Sequence, residues 1–506
     1  MVDGNGKPRL ACRTLPDNFD DLVTLLTLQG LANRTEPRLV LNSEWGPDWS
    51  RAERKWQEVY ADRLGYRFRQ ARSLDAVLRD SSDLADGLVV YDPDLDASRW
   101  IAVTMSALEG RLPASPDQLS GTLKGFKVRE DLRGRWSNPE SAYGWAIENL
   151  LPRCNPEVAF NAGKSHDRID MGTDRSVILT MDYAVAQKAF VLNLSPAGKP
   201  ATYGHEKIPV PGYPEDAAIT YSILSQYKPF LRMWGWAEPE WTFVSVLSKF
   251  SHMLICGSAS NMSFHGAAPA RRKPLRQPRH GRPKPKLEDG YYLAAMTTEG
   301  DAPRVLSTFF FGGWLNPDRG KLPINWGIDP LLLYDFPFLA DYYYSTMTGN
   351  DYFFAGVSGA GYVFIDQLPD VKAWAKHCKP YFDHCDIDIV DCWDEFEFHP
   401  GRYETFAREA GVRMFTLLPR GGPKTVTLPS GVPCLVPDER VHYKAGEKSV
   451  PDIKAIAAEH PAPFLIPLYG CGGHHGPSAY RTILKELRSK KYEAVGLDDM
   501  AELARP

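Results

Sequence analysis

Residues 289–301 read DGYYLAAMTTEGD, and this stretch indicates the fold of the C-terminal half of the chain. The apolar run YYLAAM ends in a segment with one glycine and two carboxylates, as expected of a buried strand that leads into a loop. Similar strand-like runs follow in CDIDIVDCW, GVRMFTLLP and PFLIPLYG, and helix-like segments separate them. This alternation predicts a (β/α) barrel-like domain over residues 287–506, with its site at the C-terminal ends of the strands.

The preceding residues predict further α/β structure. At 506 residues the chain is too long for one hydrophobic core, and strand-like runs such as DGLVVYD and RSVILTMD alternate with helix-like ones, which favours parallel sheets. We therefore predict a multidomain α/β protein with an N-terminal α/β domain (residues 1–125) and a second α/β region (residues 126–262). Residues 263–286 are basic and rich in proline, which predicts an exposed linker.

Composition and charge exclude several classes of protein. With 43% hydrophobic residues the chain can fill large cores, and a net charge of -4 gives no basic face for nucleic acid. Eight cysteines without a CxxC pair predict neither a disulfide scaffold nor structural zinc. The first apolar stretch, 22–32, follows acidic residues and suits an amphipathic helix, so no signal peptide or membrane span is predicted and the compartment stays open. No cofactor is predicted, and the oligomeric state is left open.

Two groups of carboxylates follow predicted strands of the C-terminal domain. Glu299 and Asp301 come directly after YYLAAM, while Asp391, Asp394 and Glu395 come at the end of CDIDIVDCW. Two carboxyl groups across a bound sugar are the minimal apparatus of most glycosidases. These residues are therefore the candidate catalytic groups, although Asp301 equally suits a cap of the next helix.

Aromatic and histidine residues supply candidate contacts to a substrate. Trp314 and Trp326 lie in stretches rich in glycine, proline and asparagine, GGWLNPDRG and LPINWGIDP, which predicts loops that present flat apolar surface to sugar rings. His474 and His475 follow the strand-like PFLIPLYG in a glycine-rich segment. Because no HxxxH or HExxH spacing accompanies them, polar contact with substrate is favoured over a metal site.

The stretch SGAGYVF, residues 358–364, resembles the signature of the GxGYxYP putative glycoside hydrolase family. Gly359, Gly361 and Tyr362 match the motif, whereas Phe364 and Ile365 replace its closing tyrosine and proline. TTEGD, the run DFPFLADYYYSTMTGNDYFFAGVSGAGY and the N-terminal LQGLANRTEPRLVL are similar too, so the resemblance extends from about residue 10 to the end. It implies that Gly359, Gly361 and Tyr362 belong to a carbohydrate site; a structural turn with a packed tyrosine explains them equally well.

Residues and resemblance together predict a glycoside hydrolase that cleaves an oligo- or polysaccharide with a pair of carboxylates. One alternative is a polysaccharide lyase that uses Tyr362 and a histidine, His474 or His475, for proton transfer. Another is a glycan-binding protein without activity, in which the aromatic residues matter and the carboxylates do not.

Overall fold

The computed structural model describes residues 9–43, 47–71, 76–78, 84–163, 174–203, 208–278, 286–394, 398–441, 446–471 and 476–505. The chain forms two compact units, Met1–Pro269 and Ala270–Pro506. Their division falls within the stretch predicted as a linker.

The N-terminal unit alternates helices and short strands. Its strands are β1 Arg9–Thr14, β2 Leu39–Asn42, β3 Arg67–Gln70, β4 Leu88–Val90, β5 Leu112–Ala114, β6 Val128–Asp131, β7 Val158–Ala162, β8 Phe190–Leu192, β9 Ala201–Tyr203, β10 Ile208–Val210, β11 Arg232–Trp236 and β12 Met253–Cys256. Its helices are α1 Phe19–Ala32, α2 Pro47–Leu64, α3 Asp96–Glu109, α4 Pro139–Asn149, α5 Asp174–Val177, α6 Met181–Ala186, α7 Pro214–Leu224, α8 Glu240–Lys249 and α9 Met262–Ala267.

Three small parallel sheets organise this unit. Their strand orders are β2-β1-β3, β5-β4-β6 and β12-β11-β7-β8, and β9 and β10 form a separate antiparallel pair. The predicted α/β class with parallel sheets is confirmed. The second sheet spans residues 88–131, on both sides of the predicted boundary at residue 125. RSVILTMD was predicted to be a strand, and this prediction is wrong: the segment is helical, in α5 and at the start of α6. An apolar run of this length fits a buried helix as well as a strand.

Polar side chains buried between α1, α6 and α9 tie the N-terminal unit together. Asp182 accepts hydrogen bonds from the backbone N–H (2.8 Å) and the hydroxyl (2.6 Å) of Ser263. Gln29 donates to Asn261 over 2.7 Å, and Asn33 donates to the Ser263 hydroxyl over 3.0 Å. Burial raises the pKa of the Asp182 carboxyl to about 7, although these donors oppose the shift.

The C-terminal unit is built around one large sheet. Its strands are β13 Tyr291–Thr298, β14 Ile324–Ile328, β15 Asp351–Ala355, β16 Ile389–Cys392, β17 Met414–Leu417, β18 Lys424–Thr427, β19 Pro433–Val436, β20 Phe464–Cys471 and β21 Tyr492–Ala494. Its helices are α10 Phe310–Trp314, preceded by a π-helical turn at Val305–Phe309, α11 Pro330–Asp335, α12 Pro337–Thr346, α13 Val371–Cys385, α14 Pro400–Ala410, α15 Val450–Glu459, α16 Pro477–Leu487 and α17 Leu497–Leu503.

The strand order of this sheet is that of a barrel which does not close. The sheet runs β18-β19-β17-β16-β15-β14-β13-β20, and all pairs are parallel except β18 with β19. The late strand β20 lies beside the first strand β13, as the last strand of a barrel would. In the described part of the chain no ladder joins β19 to β20, so the predicted barrel-like sheet is an open one.

The concave face of this sheet holds an apolar core. Alternate residues of β13 and β15, together with Ile389, Met414 and Leu435, pack there against α17. The Tyr469 hydroxyl of β20 donates a hydrogen bond to Asp391 of β16. In a flat sheet these strands would lie about 19 Å apart, four spacings of about 4.8 Å, so the sheet must curl for the two side chains to meet.

Part of the basic stretch predicted as an exposed linker is buried. Ser263–His265 belong to α9 and are buried, whereas 270–278 has no regular secondary structure. Gln277 is buried there and joins Phe353 of β15 through two hydrogen bonds, of 3.0 and 2.7 Å. Residues 279–285 lie outside the described residues.

Candidate active site

The loops after β13, β14 and β15 and the end of strand β16 lie at the C-terminal edge of the large sheet. Asp329 donates its backbone N–H to the Gly300 carbonyl over 2.9 Å, which joins the loops after β13 and β14. Ser358 donates its N–H to the Asp391 carbonyl over 2.6 Å, which joins the loop after β15 to β16. The carboxylates Glu299 and Asp301 and the GxGY segment (residues 359–362) therefore lie at the same edge of the sheet, where α/β proteins bind their ligands.

Asp301 lies in the loop after β13 and is only 6% exposed. Burial raises the pKa of its carboxyl to about 7; the charge of Glu299 adds to this increase and Arg304 opposes it. Arg304 forms an ion pair with Glu299 at 3.0 Å, and both side chains are partly exposed. The next helical residues begin at Pro303, two positions after Asp301, and lead into the π-helical turn. With a pKa of about 7, raised by burial and by Glu299, Asp301 is protonated in part of the molecules near neutral pH.

Asp391 lies in β16 on the concave face and is fully buried. Thr416 donates to one carboxylate oxygen over 2.7 Å, and Trp393 (2.9 Å) and Tyr469 donate to the other. Burial raises the pKa of Asp391 to about 6 even though these three donors lower it. A carboxylate has about four acceptor positions, so three donors leave one for a further partner.

Asp394 lies two residues beyond β16 and has a different set of partners. It accepts hydrogen bonds from the Tyr403 hydroxyl and the Ile365 backbone N–H, both at 2.6 Å. It also lines an apolar cavity of about 220 Å³ with Tyr403, Arg420 and Lys424. Burial raises its pKa to about 7, and nearby Asp366 adds to this increase. These bonds fasten the segment after the GxGY residues to α14.

The GxGY residues form a buried turn after β15. Gly359 and Gly361 have φ angles of 121° and 112°, which glycine adopts without strain. A Cβ on Gly359 would lie 2.8 Å from the Cys378 sulfur, so the turn packs directly on α13. The Tyr362 ring is 2% exposed and lies edge-on to the Trp393 ring, with centroids 6.0 Å apart.

Trp314 and Trp326 do not lie in loops, so that prediction is wrong. Trp314 ends α10 and Trp326 is in the middle of β14; they are 2% and 0% exposed. Their rings pack on each other with centroids 5.4 Å apart, and Trp314 stacks on Phe353 at 5.6 Å. Asparagine and glycine occur in β14 because Asn325 bonds the neighbouring strand and a Cβ on Gly327 would lie 2.7 Å from the Thr297 carbonyl oxygen.

Three of the predicted site residues, Glu395, His474 and His475, lie outside the described residues. Among the residues that are described, no group of three or more histidine, cysteine, aspartate or glutamate side chains could hold a metal ion. Each described helix is also too short or too polar to cross a membrane.

Three side chains of this edge were absent from the predicted site: Arg304, Trp393 and Tyr469. Trp393 directly follows β16, and its sequence position at the end of CDIDIVDCW is the only signal that could have found it. Tyr469 is 78 residues from Asp391 in sequence, and a contact that depends on the curl of the sheet leaves no local pattern.

Fold and site together define an α/β protein that carries buried carboxylates at the C-terminal edge of a curled parallel sheet. Models of the GxGYxYP putative glycoside hydrolases match the chain in three regions, which together exceed half of its length. The second N-terminal domain matches residues 85–154, the third residues 168–267, and the C-terminal domain residues 289–427. The chain belongs to this family, as the resemblance implied.

Two solved structures are similar to this chain. The crystal structure of a putative hydrolase from Bacteroides thetaiotaomicron VPI-5482 covers 99% of this chain and 95% of its own, with a TM-score of 0.78 and 17% identity. That likeness supports the fold. A putative polysaccharide deacetylase from Mycobacterium smegmatis has a TM-score of 0.32 and 10% identity, over 45% of this chain and 94% of its own. The comparison with curated proteins gave no match.

Proposed function

We propose that this protein hydrolyses glycosidic bonds of an oligo- or polysaccharide at the C-terminal edge of its large sheet. The observation that carries the proposal is the state of Asp301, a buried carboxyl at a strand end with a pKa of about 7. A carboxyl that stays protonated near neutral pH is what a general acid requires. The family description supports the same substrate class.

Asp301 donates its proton to the glycosidic oxygen as the bond from that oxygen to the anomeric carbon breaks. Asp391, with its pKa of about 6, is mostly ionised at neutral pH and supplies the negative charge that the developing oxocarbenium ion needs. Water then adds to the anomeric carbon and its released proton restores Asp301. The Glu299 carboxylate and the Arg304 guanidinium have opposite effects on the pKa of Asp301 and so tune the acid.

The proposal is tested by incubating the protein with soluble polysaccharides and measuring new reducing ends. Asp301→Asn keeps the shape of the side chain and removes its proton, so turnover should fall about 10²–10⁴-fold. The matched control is Asp341→Asn on α12, whose carboxylate pairs with Lys273 at 2.6 Å on the surface. It should retain full turnover, and circular dichroism should show both variants folded.

Other outcomes discriminate the alternatives. A product that absorbs in the ultraviolet, from an acidic polysaccharide, would identify a lyase. Glycan binding by the wild-type protein without any turnover would identify a binding protein. An active, folded Asp301→Asn variant would remove Asp301 from the mechanism.

A further inference from the structure

A cavity of about 220 Å³ lies where the large sheet meets the first turn of α14. The neighbouring strands β16, β17 and β19 each contribute their last residue to its wall, namely Cys392, Leu417 and Val436. Pro400 and Tyr403 line it from the first turn of α14. The cavity therefore occupies a place just beyond strand ends, where open α/β sheets bind their ligands.

The cavity lies on the other side of the sheet from Asp391. Asp391 and Thr416 are joined by a hydrogen bond of 2.7 Å on the concave face. Cys392 and Leu417 are the next residues of the same two strands, and successive side chains of a strand point to opposite faces. A ligand in this cavity therefore occupies a site of its own, separate from the carboxylate proposed to take part in hydrolysis.

Asp394 is the buried polar group of the cavity, with 4% of its surface exposed. Its carboxyl accepts hydrogen bonds of 2.6 Å from the Tyr403 hydroxyl and from the Ile365 backbone N–H. The Asp366 backbone N–H is a further donor to it. Because a carboxylate has about four acceptor positions, Asp394 retains one for a hydroxyl group of a ligand.

Lys424 lines the same cavity from the first position of β18 and is exposed to solvent. Within the described part of the chain its ammonium group forms no ion pair, unlike Lys321 and Lys379, which pair with aspartates at 2.8 and 2.9 Å. Arg420 also lines the cavity. The positive charge at the exposed end of the cavity therefore favours a ligand with an anionic group there.

Between the buried Asp394 and the exposed Lys424 the wall of the cavity is apolar. The residues that form this wall include Cys392, Phe398, Leu417, Val426 and Val436. A sugar ring would leave several hydroxyl groups without partners against such a wall, and each of them would cost free energy. An aromatic ring has no such groups, and an apolar cavity of about 150 Å³ is large enough to hold benzene. The size and the wall of this cavity therefore fit one aromatic ring.

We propose that this cavity binds a small aromatic carboxylate whose ring carries a hydroxyl group opposite the carboxylate, as in para-hydroxybenzoate. The ring lies between Leu417 and Val436, where it is removed from water. The carboxylate pairs with Lys424 at the exposed end, and the hydroxyl donates a hydrogen bond to Asp394 at the buried end. This site goes beyond the proposed hydrolase function and does not depend on it.

The experiment measures binding of three compounds to the full chain by calorimetry at low salt. Para-hydroxybenzoate has all three recognition features, para-hydroxybenzyl alcohol lacks the carboxylate, and benzoate lacks the hydroxyl. We expect para-hydroxybenzoate to bind more tightly than either of the others. Lys424→Gln should weaken its affinity about two- to fivefold, as expected for an exposed ion pair, and should leave the affinity for the alcohol unchanged. Lys454→Gln on α15, exposed and outside the cavity, is the matched control and should change neither affinity.

A second pair of variants tests whether the compound lies in the cavity. Val426→Phe adds a ring to the half-buried side of β18 that lines the cavity, so it should weaken the affinity for para-hydroxybenzoate at least about tenfold. Thr425→Phe is the matched control, because its exposed side chain points to the opposite face of the same strand. It should bind as the wild type does, and circular dichroism should show both variants folded.

Three results would overturn the proposal. In the first, the wild-type protein binds none of the compounds at millimolar concentration. In the second, a folded Val426→Phe variant binds para-hydroxybenzoate as tightly as the wild type, which would place the compound outside the cavity. In the third, para-hydroxybenzyl alcohol binds as tightly as para-hydroxybenzoate, which would remove the anionic group from recognition. Because no saccharide is present, each result is independent of the hydrolase proposal.

Discussion

The Tyr469 hydroxyl of β20 donates a hydrogen bond to the Asp391 carboxylate of β16 across the concave face of the C-terminal sheet. The two strands are four positions apart in the strand order, so this contact exists only because the sheet curls. Three donors thus surround the buried Asp391 carboxylate: the Tyr469 hydroxyl, the Trp393 indole N–H and the Thr416 hydroxyl. In the proposed hydrolase these donors keep Asp391 ionised in a site where burial alone would protonate it.

Tyr469→Phe should therefore narrow the pH range of activity from the acidic side. The variant removes a donor that lowers the pKa of Asp391, so this pKa rises above about 6. If Asp391 must be ionised, the acidic limb of the kcat/KM profile moves to higher pH. Tyr480→Phe loses a buried hydrogen bond of 2.6 Å to Leu293 away from this edge and should leave the limb in place. An unchanged acidic limb in Tyr469→Phe would contradict the role given to Asp391.

Two neighbours of Asp301 should move the alkaline limb of the same profile in opposite directions. If Asp301 is the general acid, activity should fall as it loses its proton, at a pH near its pKa of about 7. Glu299→Gln removes a negative charge that raises this pKa, so the limb moves to lower pH. Arg304→Gln removes a positive charge that lowers it, so the limb moves to higher pH.

Equal shifts in one direction, or no shift at all, would show that Asp301 does not set the alkaline limb. Circular dichroism of both variants checks that neither substitution after β13 has changed the fold. The ion pair between Glu299 and Arg304 is partly exposed, so its loss should cost little stability.

How much of this site the sequence predicts depends on whether each contact is local. YYLAAM and PFLIPLYG are strands β13 and β20, because an apolar run that ends in glycine and polar residues describes a buried parallel strand by itself. Asp301 follows from the same pattern. The position of Trp326 does not, because Asn325 and Gly327 suggest a loop until their partners on β13 are known.

CDIDIVDCW shows the same limit within one segment. The predicted strand begins only at Ile389, because Asp386 adopts a left-handed conformation that ends α13. The pKa of Asp301 depends chiefly on burial, and that of Asp391 on burial and on partners that include residues of distant strands; a sequence pattern contains neither burial nor such partners.

Gly359→Ala should destabilise the C-terminal unit, because the GxGY turn leaves no room for a side chain. The new Cβ would lie 2.8 Å from the Cys378 sulfur, at a φ of 121° that alanine avoids. We expect a loss of about 1–3 kcal/mol, seen as a lower melting temperature. Gly401→Ala in α14 is the control, since nothing lies within 4 Å of its Cβ. It should be neutral or stabilising; equal melting temperatures for the two variants would contradict the packing of the turn.

Asp182→Asn should remove a pH dependence from the stability of the N-terminal unit. Because the folded pKa of about 7 exceeds the unfolded value of about 3.9, the folded protein binds more protons between these values. The stability of the wild type therefore falls as pH rises from about 4 through 7, by an amount on the order of 4 kcal/mol for this one group. Asparagine does not titrate, so the variant lacks this loss of stability. The melting temperature of the variant minus that of the wild type should therefore be larger at pH 8 than at pH 5. The exposed Asp94→Asn is the matched control and should change the melting temperature equally at both pH values. A difference between Asp182→Asn and wild type that is the same at pH 5 and pH 8 would show that Asp182 is ionised throughout.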